Sequence, residues 1–514
     1  MKRFLFFVVA VAGLFVPDCP ARDFPFYEPL NPPRPQQVMA HRGEAGQAPE
    51  NTLPALERCI EDGLEWAEID LRLTKDGRLV LSHDPDVDAG TNGIWRIDQH
   101  SFKELARLDV GSSFAKRFQG VRLPSLGQCF DLARGKLNLY LDCKDVNPEQ
   151  LAREILDARM ERQVVVYDRL DHLRRVARAS TNQIATMAKW HPGMDMGSWA
   201  GSNLLSAVEI NADEITAASA KAFHALGLKV QTKNLDSWDR PAFSEQAAGA
   251  GADWVQTDRP EEFLAHALWR RHPPRPVRIS HHRGANRYAP ENTLPAFEKS
   301  IRMGADFVEF DVRATVDGAL FLLHDGDLDR TTEGSGPIRA ASSTVVAGLS
   351  AGSKFGRPFA KVKVPTLEAF LSAVEGRVDL YFDAKAIAPE ALAEAVERHQ
   401  MAGRTVVYQQ TAFLIRLKQI DPRIRALPPL RRAGDLDALA AGLKPYAVDA
   451  AWDILSRELI DRCHRAGILV FSDALGDHER IEDYLQAIDW GIDLIQTNYP
   501  LRVMRALELL SMRK

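Results

Sequence analysis

Residues 66–84 read WAEIDLRLTKDGRLVLSHD, and residues 307–325 read FVEFDVRATVDGALFLLHD. Each begins as a short apolar run interrupted by two carboxylates, Glu68 and Asp70 or Glu309 and Asp311. Alternate residues of a strand face the same side, so each pair points one way. Next, Leu71–Thr74 and Arg78–Ser82 are joined only by Lys75-Asp76-Gly77. So short a connection reverses the chain, which predicts an antiparallel hairpin standing above a parallel strand. The hairpin leaves after Asp70 and returns with His83, and the second copy does the same between Asp311 and His324.

The register of that repeat holds along the whole chain. His41-Arg42-Gly43 recurs as His282-Arg283-Gly284, Pro49-Glu50-Asn51-Thr52 as Pro290-Glu291-Asn292-Thr293, Asp142 and Lys144 as Asp383 and Lys385, and Tyr167 as Tyr408. Every pair is 241 residues apart, and only near the end does the spacing fall to 240, from Gln256-Thr257 to Gln496-Thr497. A period this long marks duplication of a complete domain rather than a solenoid. The expected division is 37–268 and 278–508, with a basic, Pro-rich linker at 269–277 and another Pro-rich linker at 22–36.

Within the first half, β-branched runs alternate with helical patterns. Strands are expected at 37–42, 66–71, 137–143, 163–168, 184–189, 207–211, 228–233 and 253–257. Eight strands with intervening helices in each half predict an α/β chain of two tandem (β/α)8 TIM barrels, each with a small insertion after strand 2; a doubly wound sheet is the alternative.

The 514 residues are 45% hydrophobic and 26% charged, with a net charge of −5, which is ordinary globular usage and gives no basic face for nucleic acid. Lys2 and Arg3 precede an apolar run at 4–16, too short to span a bilayer and followed by prolines. Residues 1–21 therefore read as a signal peptide, and the protein as exported, periplasmic or secreted, with no stable membrane span after cleavage. Five cysteines without CxxC spacing point to packed or free thiols.

In a barrel, the C-terminal rim of the strands is where active sites are built. Glu68, Asp70 and Asp142 converge there, as do Glu309, Asp311 and Asp383. Three carboxylates on one rim repel unless a cation lies among them, and all-oxygen ligands favour Ca²⁺ or Mg²⁺. His41 with His83, and His282 with His324, suit acid/base catalysis near neutral pH. Arg42, Lys144, Arg283 and Lys385 offer donors to an anion. The register selects His282 over its neighbour His281 as the site residue. The ensemble suits phosphodiester cleavage.

HRG, PENT, ExD followed by a T-x-D-G turn, HD, and Thr257-Asp258-Arg259-Pro260 together resemble the glycerophosphodiester phosphodiesterase family over both halves. The resemblance implies the barrel with its insertion and a divalent cation. It also implies hydrolysis of small-molecule glycerophosphodiesters to glycerol 3-phosphate and an alcohol through a cyclic phosphate. By position it makes the three carboxylates of each half metal ligands and the histidines the acid/base pair. Arg42, Lys144, Arg283 and Lys385 become phosphate-binding groups, with Glu50 and Glu291 bordering the site. Alternatives are a lysophospholipid or another lipid or polymeric phosphodiester as substrate, or a non-catalytic phosphodiester-binding protein.

The halves depart from the family pattern differently. The third carboxylate is Asp142 or Asp383, where the family usually has Glu. The second half keeps Arg330-Thr331-Thr332-Glu333-Gly334, where the first has Ala89-Gly90-Thr91-Asn92-Gly93. The first half keeps Thr232 and Asn234, where the second has Ser472 and Ala474. Asp258 becomes Asn498. Trp95, Phe102 and Phe118 either line an alcohol pocket or form the insertion's core.

Overall fold

A computed structural model describes residues 24–87, 94–196, 199, 205–271 and 275–512. The expected signal segment and the Ala89–Gly93 stretch lie outside the described residues. The first half contains β1 (Gln37–Ala40), β2 (Trp66–Leu73), β3 (Leu79–Leu81), β4 (Asn138–Asp145), β5 (Val164–Tyr167), β6 (Ala185–Lys189), β7 (Ala207–Asn211), β8 (Lys229–Asn234) and β9 (Trp254–Thr257). All but β3 pair in parallel, and β1 bonds to both β2 and β9, so the sheet closes into an eight-stranded barrel. Its strands are buried on both faces, which is why runs such as Val164-Val165-Val166 read as continuously apolar.

The second half repeats the ring with β10 (Arg278–His281), β11 (Phe307–Ala314), β12 (Leu320–Leu322), β13 (Asp379–Asp383), β14 (Thr405–Tyr408), β15 (Arg425–Leu427), β16 (Pro429–Leu430), β17 (Ala447–Ala450), β18 (Leu469–Asp473) and β19 (Leu494–Thr497). Its fifth barrel strand is split into β15 and β16 at Pro428, because consecutive prolines lack the N–H groups a ladder requires. The carbonyls of Ala426, Pro428 and Leu430 still accept from the N–H groups of Tyr446, Asp449 and Ala451, at 3.1, 3.0 and 3.0 Å.

The hairpins stand where expected. Leu71 faces Leu81 and Leu73 faces Leu79 antiparallel, and β2 shifts register against β4 between Leu71 and Arg72, where it leaves the barrel. Trp95, Phe102 and Phe118 belong to the insertion. Trp95 and Phe102 pack on its core of Val80, Val87, Ile97 and Leu105, and Phe118 packs edge-on against Phe114.

The two expected linkers are not simple spacers. Residues 24–36 close the N-terminal end of the first barrel. There, Phe26 stacks edge-on against Trp66 and Trp254, with centroids 5.5 and 5.0 Å away. The helix Pro260–Arg271 runs into the stretch expected to be linker. It packs against the helices Leu294–Arg302 and Pro500–Ser511 of the second half. The barrels are joined further by Tyr288, whose hydroxyl donates to Asp62 at 2.8 Å, and by Arg357, whose N–H donates to the Phe114 carbonyl at 2.6 Å. Cys59, Cys129, Cys143 and Cys463 are buried free thiols. Among the described residues, no helix is long and apolar enough to cross a membrane.

Candidate active site

The parallel ladder sets Asp70 beside Asp142 and Asp311 beside Asp383. Two residues back on the same face lie Glu68 and Glu309. In each half, ligand oxygens of the three carboxylates lie within 4.8 Å of one another. Burial, then the charges of Asp70 and Asp142, pushes the Glu68 carboxyl well above its ordinary pKa; burial, Asp311 and Asp383 do the same to Glu309. Asp311 is buried, and its Oδ1 meets Lys385 Nζ at 3.2 Å. This crowding of oxygen donors fits a hard divalent cation, which would relieve the repulsion.

The turn after the first strand supplies the next groups. β1 ends at Ala40 and β10 at His281, so His41-Arg42 and His282-Arg283 lie just beyond the strands. Arg42 and Arg283 are left-handed, with φ of 55° and 54°, a conformation costing a non-glycine residue roughly 1–2 kcal/mol. It lets one residue act in two directions. The Arg42 N–H donates to Glu68 at 2.8 Å, while its guanidinium reaches Glu50 at 2.9 Å and Asp70 at 3.4 Å. The following glycine is required, since Gly43 has φ of 73° and a Cβ there would lie 2.8 Å from the Ala55 Cβ.

PENT is a turn with structural logic. Asn51 is left-handed with φ of 56°, and Thr52, extended at the N-cap position of the helix Leu53–Glu61, turns its hydroxyl back to the Pro49 carbonyl; the helix has Pro54 in its first turn. The turn aims Glu50 at Arg42 and Asn51 inward, where its side chain donates to Asp70 at 2.8 Å and accepts from the Asp70 N–H at 3.0 Å. Asn292 repeats both bonds with Asp311. Lys144 bridges Asp142 at 2.7 Å and Asp70 at 3.1 Å, and Lys385 bridges Asp383 and Asp311 at 2.5 and 3.2 Å. Burial opposes the lysine charge, yet these carboxylates raise the pKa of both lysines.

His83 and His324 return on the hairpins and are fixed from both sides. Arg72 holds the His83 carbonyl at 3.0 and 2.6 Å, and Arg313 holds that of His324 at 2.7 Å. Their Nδ1 atoms bond to Asp84 and Asp325 at 2.8 and 2.7 Å. His41 Nδ1 bonds to Asp258 at 2.7 Å, and His282 Nδ1 to Asn498 at 2.8 Å. An oxygen acceptor on Nδ1 leaves Nε2 as the working nitrogen of each ring. In two rings that atom is near the carboxylates: Nε2 of His41 lies 3.9 Å from Glu68, and Nε2 of His282 lies 3.9 Å from Glu309. Burial and the Arg283 charge lower the His282 pKa to about 4, against the pull of its bond to Asn498.

All sixteen expected residues therefore gather at two rims, eight to each. Asn51 and Asn292, Asp84 and Asp325, Arg72 and Arg313, and the Asp258/Asn498 pair support them without having been assigned roles from the sequence. All lie in register between the halves, and that repetition was the available signal. The rims also differ. Arg330 clamps Glu291 and Asp325 at 2.6–2.7 Å. Deeper in the barrel, Glu209 is held by Lys189 at 3.0 Å and by the Tyr140 and Tyr167 hydroxyls at 3.1 and 3.3 Å. Its counterpart Asp449 has Arg431 at 3.6 Å and is pushed up to about 7 by burial. The second rim opens into a cavity of about 220 Å³ lined by His282, His324, Tyr381 and Tyr408 among others.

The sequence comparison decides the relationship. The glycerophosphoryl diester phosphodiesterase family profile matches residues 41–262 and again 282–502. The chain belongs to that family. A glycerophosphodiester phosphodiesterase of Bacillus subtilis is 30% identical over 244 residues, covering 43% of this chain and 82% of that protein. One from Caldanaerobacter subterraneus is 29% identical over 245 residues, covering 44% and 96%. Among solved structures, the enzyme from Agrobacterium tumefaciens is 29% identical with a TM-score of 0.42, covering 45% of this chain and 99% of its own. Each of these alignments covers less than half of this chain, which matches the family profile twice.

His281, adjacent to His282, plays another part. It is buried in β10, and neither ring nitrogen has a partner. Burial, reinforced by Arg275, lowers its pKa from 6.5 to about 3. A depressed histidine leaves stability intact above pH 6.5. As pH falls from 6.5 toward 3, the unfolded chain gains a proton that the folded one resists. The expected loss is about 1.4 kcal/mol per pH unit, roughly 2 kcal/mol by pH 5. His281→Leu is expected to flatten the decline in melting temperature between pH 7 and pH 5; an unchanged slope would exclude this origin.

Proposed function

We propose that the protein hydrolyses glycerophosphodiesters to glycerol 3-phosphate and an alcohol at two sites, one on each barrel. The observation that carries this reading is the convergence, on each rim, of two histidines whose Nδ1 atoms are tied to side-chain oxygens, three carboxylates, an arginine and a lysine. Arg42 and Lys144, and Arg283 and Lys385, bind the phosphate. One histidine takes the proton of the glycerol 2-hydroxyl as its oxygen attacks phosphorus, and the other protonates the departing alkoxide. The cyclic phosphate is then opened by water with the roles reversed. Glu68, Asp70 and Asp142, or Glu309, Asp311 and Asp383, would hold a divalent cation, Ca²⁺ or Mg²⁺, which when bound would supply positive charge to offset the charge developing on the phosphate. The charged and then apolar start of the sequence supports action outside the cytoplasm, in the periplasm or after secretion.

The test is release of glycerol 3-phosphate from glycerophosphocholine by the purified protein with Ca²⁺, Mg²⁺ or EDTA. Turnover with a cation and its loss in EDTA are expected; no turnover across a panel of glycerophosphodiesters would refute the reading. Cation binding is also expected to raise the melting temperature, as a ligand at a hundredfold its Kd adds about 2.7 kcal/mol. Glu68→Gln with Glu309→Gln should abolish that rise.

A further inference from the structure

A cavity of about 560 Å³ opens beside His83, and its walls come from both halves of the chain. Leu81, Val87, Val110 and Leu123 line it from the first barrel's hairpin and insertion, together with Phe114. Pro358 and Arg357, from the second barrel's insertion, complete it. Its polar lining includes Glu50 and His83 of the catalytic rim with Asp84, and further Asp86, Ser113 and Arg357. An apolar cavity of this size with a few convergent polar groups is the usual form of a small-molecule site. In the second barrel, the corresponding carboxylates Glu291 and Asp325 are bridged by Arg330. The first half has Ala89 at the matching position. The side chains of Glu50 and Asp84 are 50% and 60% exposed, against 18% and 32% for Glu291 and Asp325.

We propose that this cleft makes the first barrel a site for phosphodiesters carrying a hydrocarbon chain, namely 1-acyl-glycerophosphodiesters, with the second barrel supplying one wall. The inference rests on the catalytic reading above. Such a substrate keeps the free 2-hydroxyl, so the chemistry is unchanged. The hydroxyl oxygen bonds to phosphorus, the ester bond to the leaving alcohol breaks, and the hydroxyl proton ends on that alcohol by way of the histidines. Water then opens the cyclic ester to the acyl-glycerol phosphate. The duplication thereby produces two unlike sites, and the second barrel shapes the specificity of the first.

The experiment compares His282→Ala, which leaves the first rim intact, with His41→Ala, which leaves the second. The substrates are glycerophosphocholine and its butanoyl, hexanoyl and octanoyl 1-esters below their micellar concentrations. Burial of a methylene predicts a rise in kcat/KM of up to about fourfold for each one added in His282→Ala, and a change under about twofold across the series in His41→Ala. In the His282→Ala background, Pro358→Trp and Pro358→Asp, both on the exposed wall, should cut octanoyl-ester turnover at least tenfold. They should leave glycerophosphocholine within twofold. Equal chain-length dependence in both barrels, none in the first, or indifference to Pro358 would overturn the proposal. If no variant turns over any substrate, the catalytic reading fails and the cleft is judged by calorimetry. Octanoyl-ester binding abolished by Pro358→Trp would uphold it, and absent or unaffected binding would overturn it.

Discussion

His41→Ala combined with His282→Ala is expected to lower glycerol 3-phosphate release by about 10²–10⁴-fold, while either single replacement leaves one barrel working. The expectation follows from completeness. Neither half lacks a histidine, a carboxylate, the arginine or the lysine, and neither rim borrows a catalytic group from the other barrel. Removing an acid/base imidazole disables its own rim and leaves the other rim's hydrogen bonds untouched. The measurement is the initial rate on glycerophosphocholine for wild type, both single variants and the double. Collapse of activity in one single variant alone would make the other barrel a non-catalytic domain.

That completeness was legible in the sequence because it is written twice. A single HRG or HD is uninformative, but a register of 241 residues held across strands, turns and helices left little freedom in choosing the site residues. The strands were legible for a related reason. Burial on both faces gives continuous apolar runs bounded by turns, and the observed strands fall within two residues of the expected limits in the first half. The fifth strand of the second half is the irregular one, where Pro428-Pro429 divides a segment that elsewhere is a single run. Local patterning could not reveal long-range partnerships. The bonds of Asp258 to His41 and of Asn51 to Asp70 join residues 217 and 19 positions apart, and they exist only once the barrel closes. The same limit explains the Pro-rich segment before residue 37. Composition marks it as lacking regular structure, which is correct, but says nothing of the floor against which its two phenylalanines pack.

That segment carries the largest expected effect on stability. Arg34→Ala should destabilise the protein by about 3–5 kcal/mol. The Arg34 side chain is 4% exposed, and its guanidinium donates to Glu65 at 2.8 Å, to the Gly63 carbonyl at 2.9 Å and to Glu508 at 3.2 Å. Glu65 also accepts the Val38 N–H at 3.2 Å, which ties the network to the first barrel strand. Glu508 lies on the last helix of the second barrel, where Arg505 joins it at 2.8 Å and reaches back to the Pro32 carbonyl at 2.8 Å. One buried cation thus fastens the N-terminal segment, the first barrel and the end of the chain together. Truncating it strands the buried Glu65 carboxylate, whereas Glu508 keeps Arg505, and that uncompensated charge is the source of the loss. Arg34→Met combined with Glu65→Gln removes both charges of that pair, while Glu508 keeps Arg505 at 2.8 Å, and should recover a good part of it, since neutral replacement of a buried pair is far milder than breaking one partner. Denaturant unfolding of the three proteins measures both quantities. Equal stability of Arg34→Ala and wild type would show that the network contributes nothing net. Because these groups sit at the N-terminal end of the barrel, opposite the catalytic rim, kcat at low temperature should stay within about twofold of wild type. A larger fall would mean that the floor and the rim are mechanically coupled.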